Sequence, residues 1–221
     1  MTSTSQSKLS LRALNQAQRR AAILSAAEEL FLCKGIDDTL MSEVAARVGV
    51  STPTVFNYFG TKVELLLAVI MKAHDAARER VEHKRATWHG DVPSGVVSIL
   101  QVFSGISHRI LSKQAWRYAE ATNISHPQSE FVQAYQKIDA HNTALLQAFL
   151  AEALPPRFKQ TGTAEVLART LYNNWLARFI AFIRDDGQSV DSFHALVRQD
   201  VHELLGLLLD GSAPSQFTPP K

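Results

Sequence analysis

Hydrophobic positions recur at helical spacing along most of this chain. Ile23, Ala27, Leu30 and Phe31 stand at i, i+4, i+7 and i+8, which predicts a helix over about 16–34, with Lys34 in its last turn and Gly35 to stop it. A short helix follows over about 40–48, started by Asp38 or Thr39 as N-cap. The next begins at Ser51 or Thr52 and runs to about Phe59, with Pro53 in its first turn, where a missing N–H costs nothing. Thr61 then caps a long helix reaching to near Arg85. Beyond the break at ATWHGDVP, helices are predicted at about 94–112, 114–123, 129–154, 163–185 and 190–209, separated by ISHPQ, LPPRFKQTG and DDGQS. No segment sustains the two-residue alternation of a half-buried strand, so the fold class is all-α.

The pattern divides the chain unevenly. Residues 1–15 are polar and Ser/Thr-rich and 211–221 are rich in Pro and Ser, so both are expected to be loose tails. Residues 16–60 make a small unit of three short helices. The fourth helix joins it to a larger helical unit over 61–210.

In the small unit, two short helices meet at a tight glycine turn, the arrangement that offers its second helix to a DNA major groove. Val44, Ala45 and Val48 point inward, Gly49 makes the turn, Val50 plugs the joint, and Val55 with Phe59 anchors the second helix. Thr52, Pro53, Thr54, Phe56, Asn57 and Tyr58 are left around the rest of that helix. Hydroxyls and helix N-terminal N–H groups suit phosphates, and Asn can pair bidentately with adenine.

The stretch 19–66, RRAAILSAAEELFLCKGIDDTLMSEVAARVGVSTPTVFNYFGTKVELL, resembles the tetracycline-repressor (TetR) family of bacterial transcriptional regulators. The resemblance implies a homodimer on double-stranded operator DNA, usually a repressor, released from a palindromic operator by a small-molecule effector. Position by position it implies phosphate contacts from Thr39, Ser51, Tyr58 and Lys62. The groove-facing set it implies is Thr52, Pro53, Thr54 and Asn57. Lys62 opens the fourth helix, where a cation opposes the helix dipole, so a nearby phosphate would account for it. Two positions depart from the family pattern: Leu40 stands where a second Thr is frequent, and Phe56 where Tyr is, each without a hydroxyl. Bland readings stay open beside these: Tyr58 as a rim aromatic, Thr52 and Thr54 as caps, Lys62 as a solvated lysine.

Composition changes little. A formal net charge of +2, from 23 basic and 21 acidic side chains, leaves nucleic-acid affinity to local arrangement, and Arg12, Arg19 and Arg20 are either an arm along DNA or an ordinary solvated run. The single cysteine, Cys33, excludes an intramolecular disulfide. No apolar run approaches the roughly 20 residues that cross a bilayer, and the N-terminus lacks a signal-like apolar core, so a cytoplasmic location without membrane attachment is expected.

In the larger unit, Phe131, Tyr135, Ile138, Asn142, Leu145 and Phe149 form one helical stripe that Asn142 interrupts. A buried amide needs a polar neighbour or a ligand. Phe103, Trp116 and Tyr118, with Asn142, Asn174 and Arg178, are therefore candidates for an effector pocket, with ordinary packing and ion pairing as the alternatives. The last two helices carry more apolar residues than one face buries. Trp175, Phe179 and Phe182 on one, and Val197, Val201, Leu204, Leu205 and Leu208 on the other, are candidates for a four-helix dimer interface, against a purely intramolecular core.

No HExxH, GxSxG, P-loop or dinucleotide fingerprint occurs, so neither catalysis nor a cofactor is expected. Two rival readings remain: an all-α enzyme using the C-terminal cavity, and a protein-interaction module whose helix-turn-helix no longer binds DNA.

Overall fold

The computed structural model describes residues 3–159 and 162–209, and every regular element among them is helical. In chain order these are α1 (Ser3–Lys34), α2 (Met41–Val48), α3 (Thr52–Phe59), α4 (Lys62–Thr87), α5 (Val92–Ile110), α6 (Lys113–Ser125), α7 (Glu130–Ala153), α8 (Thr163–Arg184) and α9 (Val190–Leu209), with a single 3-10 turn at Pro156–Phe158. Each predicted helix is found within a few residues of its expected limits, with one larger difference. α1 reaches back to Ser3, through most of the segment read above as a polar tail. Once the Ile23–Phe31 face fixes a helical nucleus, each further turn costs little, and Leu9, Leu11, Ala13, Leu14 and Ala17 are good helix formers. The predicted tail 211–221 lies outside the described residues.

The chain forms two compact units, Met1–Ala73 with Ser107–Tyr135, and His74–Ile106 with Gln136–Lys221. In the first, Ile23, Ala27 and Phe31 of α1, Val44 and Ala45 of α2, Val55 and Phe59 of α3, and Leu65 and Leu66 of α4 are all buried. Burying each of the Val, Ile, Leu and Phe side chains is worth about 1.5–3 kcal/mol, which is what holds helices as short as α2 and α3. In the second unit, Leu100 and Phe103 of α5, Leu146 and Leu150 of α7, Trp175 and Phe179 of α8, and Phe193 and Val197 of α9 are buried. No single helix among the described residues is long and apolar enough to cross a membrane.

The start of α2 differs from expectation in a way that matters locally. Its N-cap is Leu40, not Asp38 or Thr39. The Thr39 hydroxyl turns back to donate to the Gly35 carbonyl at 2.6 Å, and the Leu40 N–H is taken instead by the Glu43 carboxylate at 3.1 Å. Lys34 binds the other oxygen of Glu43. That hydrogen bond first, and the Leu40 N–H second, hold the Glu43 carboxyl below its ordinary pKa.

Candidate nucleic-acid interface

α2 ends on Gly49, whose φ of +73° lies in the left-handed region that a side chain disfavours. The Val50 N–H reaches back to the Ala45 carbonyl at 3.0 Å, closing the end of the helix and setting the angle at which α3 leaves. Ser51 caps α3: its hydroxyl accepts from the Thr54 N–H at 3.3 Å and lies 2.8 Å from the Thr54 hydroxyl. Val55 and Phe59, a turn apart, are buried. At about 100° per residue, that anchoring turns Pro53 and Asn57 outward with Thr54 beside them, sets Phe56 and Tyr58 on opposite flanks, and leaves Thr52 nearest the body. Burial agrees for Pro53, Asn57 and Thr52, while Thr54 is more covered than its angle alone implies. Pro53, Phe56 and Asn57 are exposed, and Thr52, Thr54 and Tyr58 are half-buried.

The residues implied as phosphate contacts are placed less uniformly. Ser51 is exposed, whereas Thr39 is 1 % exposed with its hydroxyl directed at Gly35. Lys62 is half-buried, and its ammonium donates to the carbonyls of Ile36, Asp37 and Thr39 at 2.7, 3.1 and 3.2 Å. An ammonium has three protons, and these three oxygens take them. In place of the anion expected beside Lys62, the carbonyls just past the end of α1 surround its ammonium. Arg20, left open between arm and solvated charge, holds its guanidinium 5.1 Å from the centre of the Phe59 ring. With Gln16, Ala17, Asn57 and Tyr58 it lines a groove of about 370 Å³ between α1 and α3.

The model of a family described as bacterial regulatory proteins, tetR family, matches residues 23–69, which are α1 from its first buried face through the turn and α3 into α4. Residues 23–69 thus carry the N-terminal domain of that family. The chain is 41 % identical over 58 residues to the HTH-type transcriptional activator FasR of Mycolicibacterium smegmatis, a match that spans 26 % of this chain and 26 % of that protein. The likeness to solved structures extends further along the chain and concerns the fold. A tetR-family transcriptional regulator from Mesorhizobium loti matches with a TM-score of 0.68 at 18 % identity, over 86 % of this chain and 96 % of that one. Thermus thermophilus FadR, solved in complex with lauroyl-CoA, matches with a TM-score of 0.55 at 19 % identity, over 91 % and 99 %.

The six residues expected to line an effector pocket fall into two sets. Trp116, buried, and Tyr118, half-buried, belong to the first unit, and Phe103, Asn142, Asn174 and Arg178 to the second. Asn174 and Arg178 converge on one carboxylate: Asp200 of α9 accepts a two-point bond from Arg178, 2.7 Å on each side, and another from Asn174 at 2.8 Å. The Arg178 bond first, with Asn174 adding to it, holds the Asp200 carboxyl below its ordinary pKa.

Asn142 is more telling. Its amide donates to the Tyr172 hydroxyl at 3.4 Å, which donates in turn to Asp139 at 2.7 Å. Its own Oδ1 is buried without a hydrogen-bond partner, as are His141 Nε2 and Trp175 Nε1. His141 stands edge-on to His74, 5.2 Å between ring centres. Burial first, and His141 second, push the His74 pKa below its ordinary value, so His74 favours the neutral form. Phe103 lies edge-on to both Tyr172 and Trp175. Helical spacing singles out Asn142, but no spacing links it to His74 or Tyr172, which come from other helices.

Of the eight residues expected at a dimer interface, Trp175, Phe179, Phe182, Val197, Val201 and Leu205 are buried inside the single chain. Aromatic stacking accounts for much of this. Trp175 lies parallel to Phe179, with 5.4 Å between ring centres, and Phe182 stacks on Phe193 at 4.9 Å. Leu204 is half-buried and Leu208 exposed, next to exposed Leu207.

Proposed function

We propose that this chain is a DNA-binding transcriptional regulator that acts as a homodimer and answers to a small-molecule effector. The observation that carries the reading is the outward face of α3, where Pro53, Phe56 and Asn57 stand exposed between buried anchors in a domain of the tetR family. On this reading residues 16–60 are the DNA-binding domain and 61–210 the effector and dimerisation domain. α3 enters the major groove with Asn57 reading adenine, flanked by Pro53, Thr52 and Thr54. Ser51, Tyr58 and Arg20 face phosphates. A symmetric dimer then calls for a palindromic operator.

The buried polar atoms of His141, Asn142 and Trp175 support a ligand-binding role for the second unit, because such atoms are costly unless something pairs with them. Ligand binding shifts the population toward an arrangement that fits the operator less well, as in a repressor released by its effector. The exposed ends of α8 and α9, with Val166, Leu207 and Leu208, supply apolar surface for a second copy.

The test is a band shift of the full chain with duplex DNA from upstream of its own gene, repeated at rising salt. A regulator binds selected sequences, loses affinity steeply with salt, and loses sequence preference on Asn57→Ala. Binding to no duplex, or equally to all of them, would sink the assignment. Lauroyl-CoA, the ligand held by the Thermus thermophilus neighbour, is the first compound to try for a rise in thermal stability.

A further inference from the structure

Among the described residues, Phe56 is the only exposed aromatic side chain, at 44 %. The other described phenylalanines, tyrosines and tryptophans are buried or half-buried, many in the stacked core of the second unit. Nothing in the fold calls for a ring at position 56: the apolar needs of α3 are met by Val55 and Phe59, and its C-terminal turn is closed through the backbone, Gly60 N–H to Phe56 carbonyl at 2.7 Å. The ring stands on the outer flank of α3, next in sequence to Asn57. It has no hydroxyl, so a phosphate gains no hydrogen bond from it.

A bare ring displayed beside an amide calls for an apolar surface beside a donor and acceptor pair. The major-groove edge of an A·T pair has both. Adenine offers N7 and the N6 amino group, matched by Asn, and thymine offers its C5-methyl, the apolar group on that edge. We propose that Phe56 reads thymine, its ring packing on a C5-methyl beside the base that Asn57 addresses. This rests on the DNA-binding reading given above and adds a specificity-determining residue to it. A ring without a hydroxyl at this position favours a sequence-reading contact over a sequence-blind phosphate contact.

The test uses the full chain and a duplex selected from a random-sequence library, with affinity followed by fluorescence anisotropy at fixed salt. Each thymine is replaced in turn by deoxyuridine, which lacks only the methyl. Replacement at one position in each half-site should weaken binding about fourfold per site, the effect of one buried methyl-sized group. Phe56→Ser should bind the thymine and uracil duplexes equally, while Phe56→Leu, still apolar, should keep part of the difference. Both changes are at the surface, and unaltered circular dichroism melting separates a reading effect from a folding one. Tolerance of uracil at every position by the parent protein, or discrimination surviving in Phe56→Ser, would overturn the proposal while leaving DNA binding intact. If the library yields no enriched duplex at all, the DNA-binding reading itself fails and this proposal with it.

Discussion

Replacing Lys62 with methionine removes an ammonium and keeps most of its apolar stem. Three carbonyls then lose a donor: Ile36 at 2.7 Å, Asp37 at 3.1 Å and Thr39 at 3.2 Å. Hydrogen bonds to a charged group are worth about 1.5–3 kcal/mol when buried, less when water can substitute. Asp37 is exposed and recovers its loss from solvent; Ile36 and Thr39 are buried and recover little. A net cost of about 2–3 kcal/mol follows, equivalent to one well-made charged bond and part of a second. For a chain of this size each kcal/mol moves the melting temperature by roughly 2–4 °C, so Lys62→Met should melt roughly 4–12 °C lower by calorimetry of the DNA-free protein. The same variant discriminates the two roles given to Lys62. A lysine that contacts phosphate contributes about 0.9 to the slope of log affinity against log salt and nothing to the stability of the free protein. A lysine clamping the end of α1 does the reverse. A melting temperature unchanged within a degree, with a shallower salt slope, would refute the clamp.

Other outcomes are open to simple measurements. Gly95 on α5 lies against the Phe149 ring, where an added Cβ would overlap ring carbons, so Gly95→Ala should destabilise by about 1–2 kcal/mol in a urea melt despite alanine's better helix propensity. His74 has its folded pKa lowered, so its contribution is present above the ordinary value of about 6.5 and is lost as pH falls through the folded value; His74→Gln should flatten the decline in urea midpoint between about pH 7.5 and 5. Asp200 is also lowered, and what it contributes is present above the ordinary carboxylate pKa near 4 and lost below it. Asp200→Asn should therefore cost about 0.5–1 kcal/mol at neutral pH, discounted for the partly exposed Arg178, and that difference should vanish in acid.

The helices and the reading face of α3 could be read from the sequence because both follow from local periodicity. Val55 and Phe59 on one side imply Pro53 and Asn57 on the other, and the burial of each agrees. What could not be read depends on partners distant along the chain. Lys62 looks like a surface donor in the sequence, yet it bonds the carbonyls of residues 36, 37 and 39, contacts that only the placement of α4 beside the end of α1 creates; Thr39 turns to Gly35, a local bond that residue type alone does not distinguish from an exposed hydroxyl. For Arg178 the sequence leaves a ligand and an ion pair both open, and only α9 brings the Asp200 carboxylate to it. The apolar excess of α8 and α9 suggests a partner chain, and stacking inside one subunit absorbs most of it. The start of α1 was obscured by composition, since serine and threonine near a terminus suit a tail as well as a first helical turn.

The connection from Gly35 to Leu40 differs from most surface loops, which accept insertions readily. Its carbonyls at 36, 37 and 39 all converge on a single nitrogen carried by α4, and its one threonine closes back on residue 35. A residue added or deleted here would swing those oxygens out of register and shift α2 along with them. Homologous chains should therefore vary freely at Asp37 and Asp38, whose side chains face water, while the number of residues between the two helices stays constant.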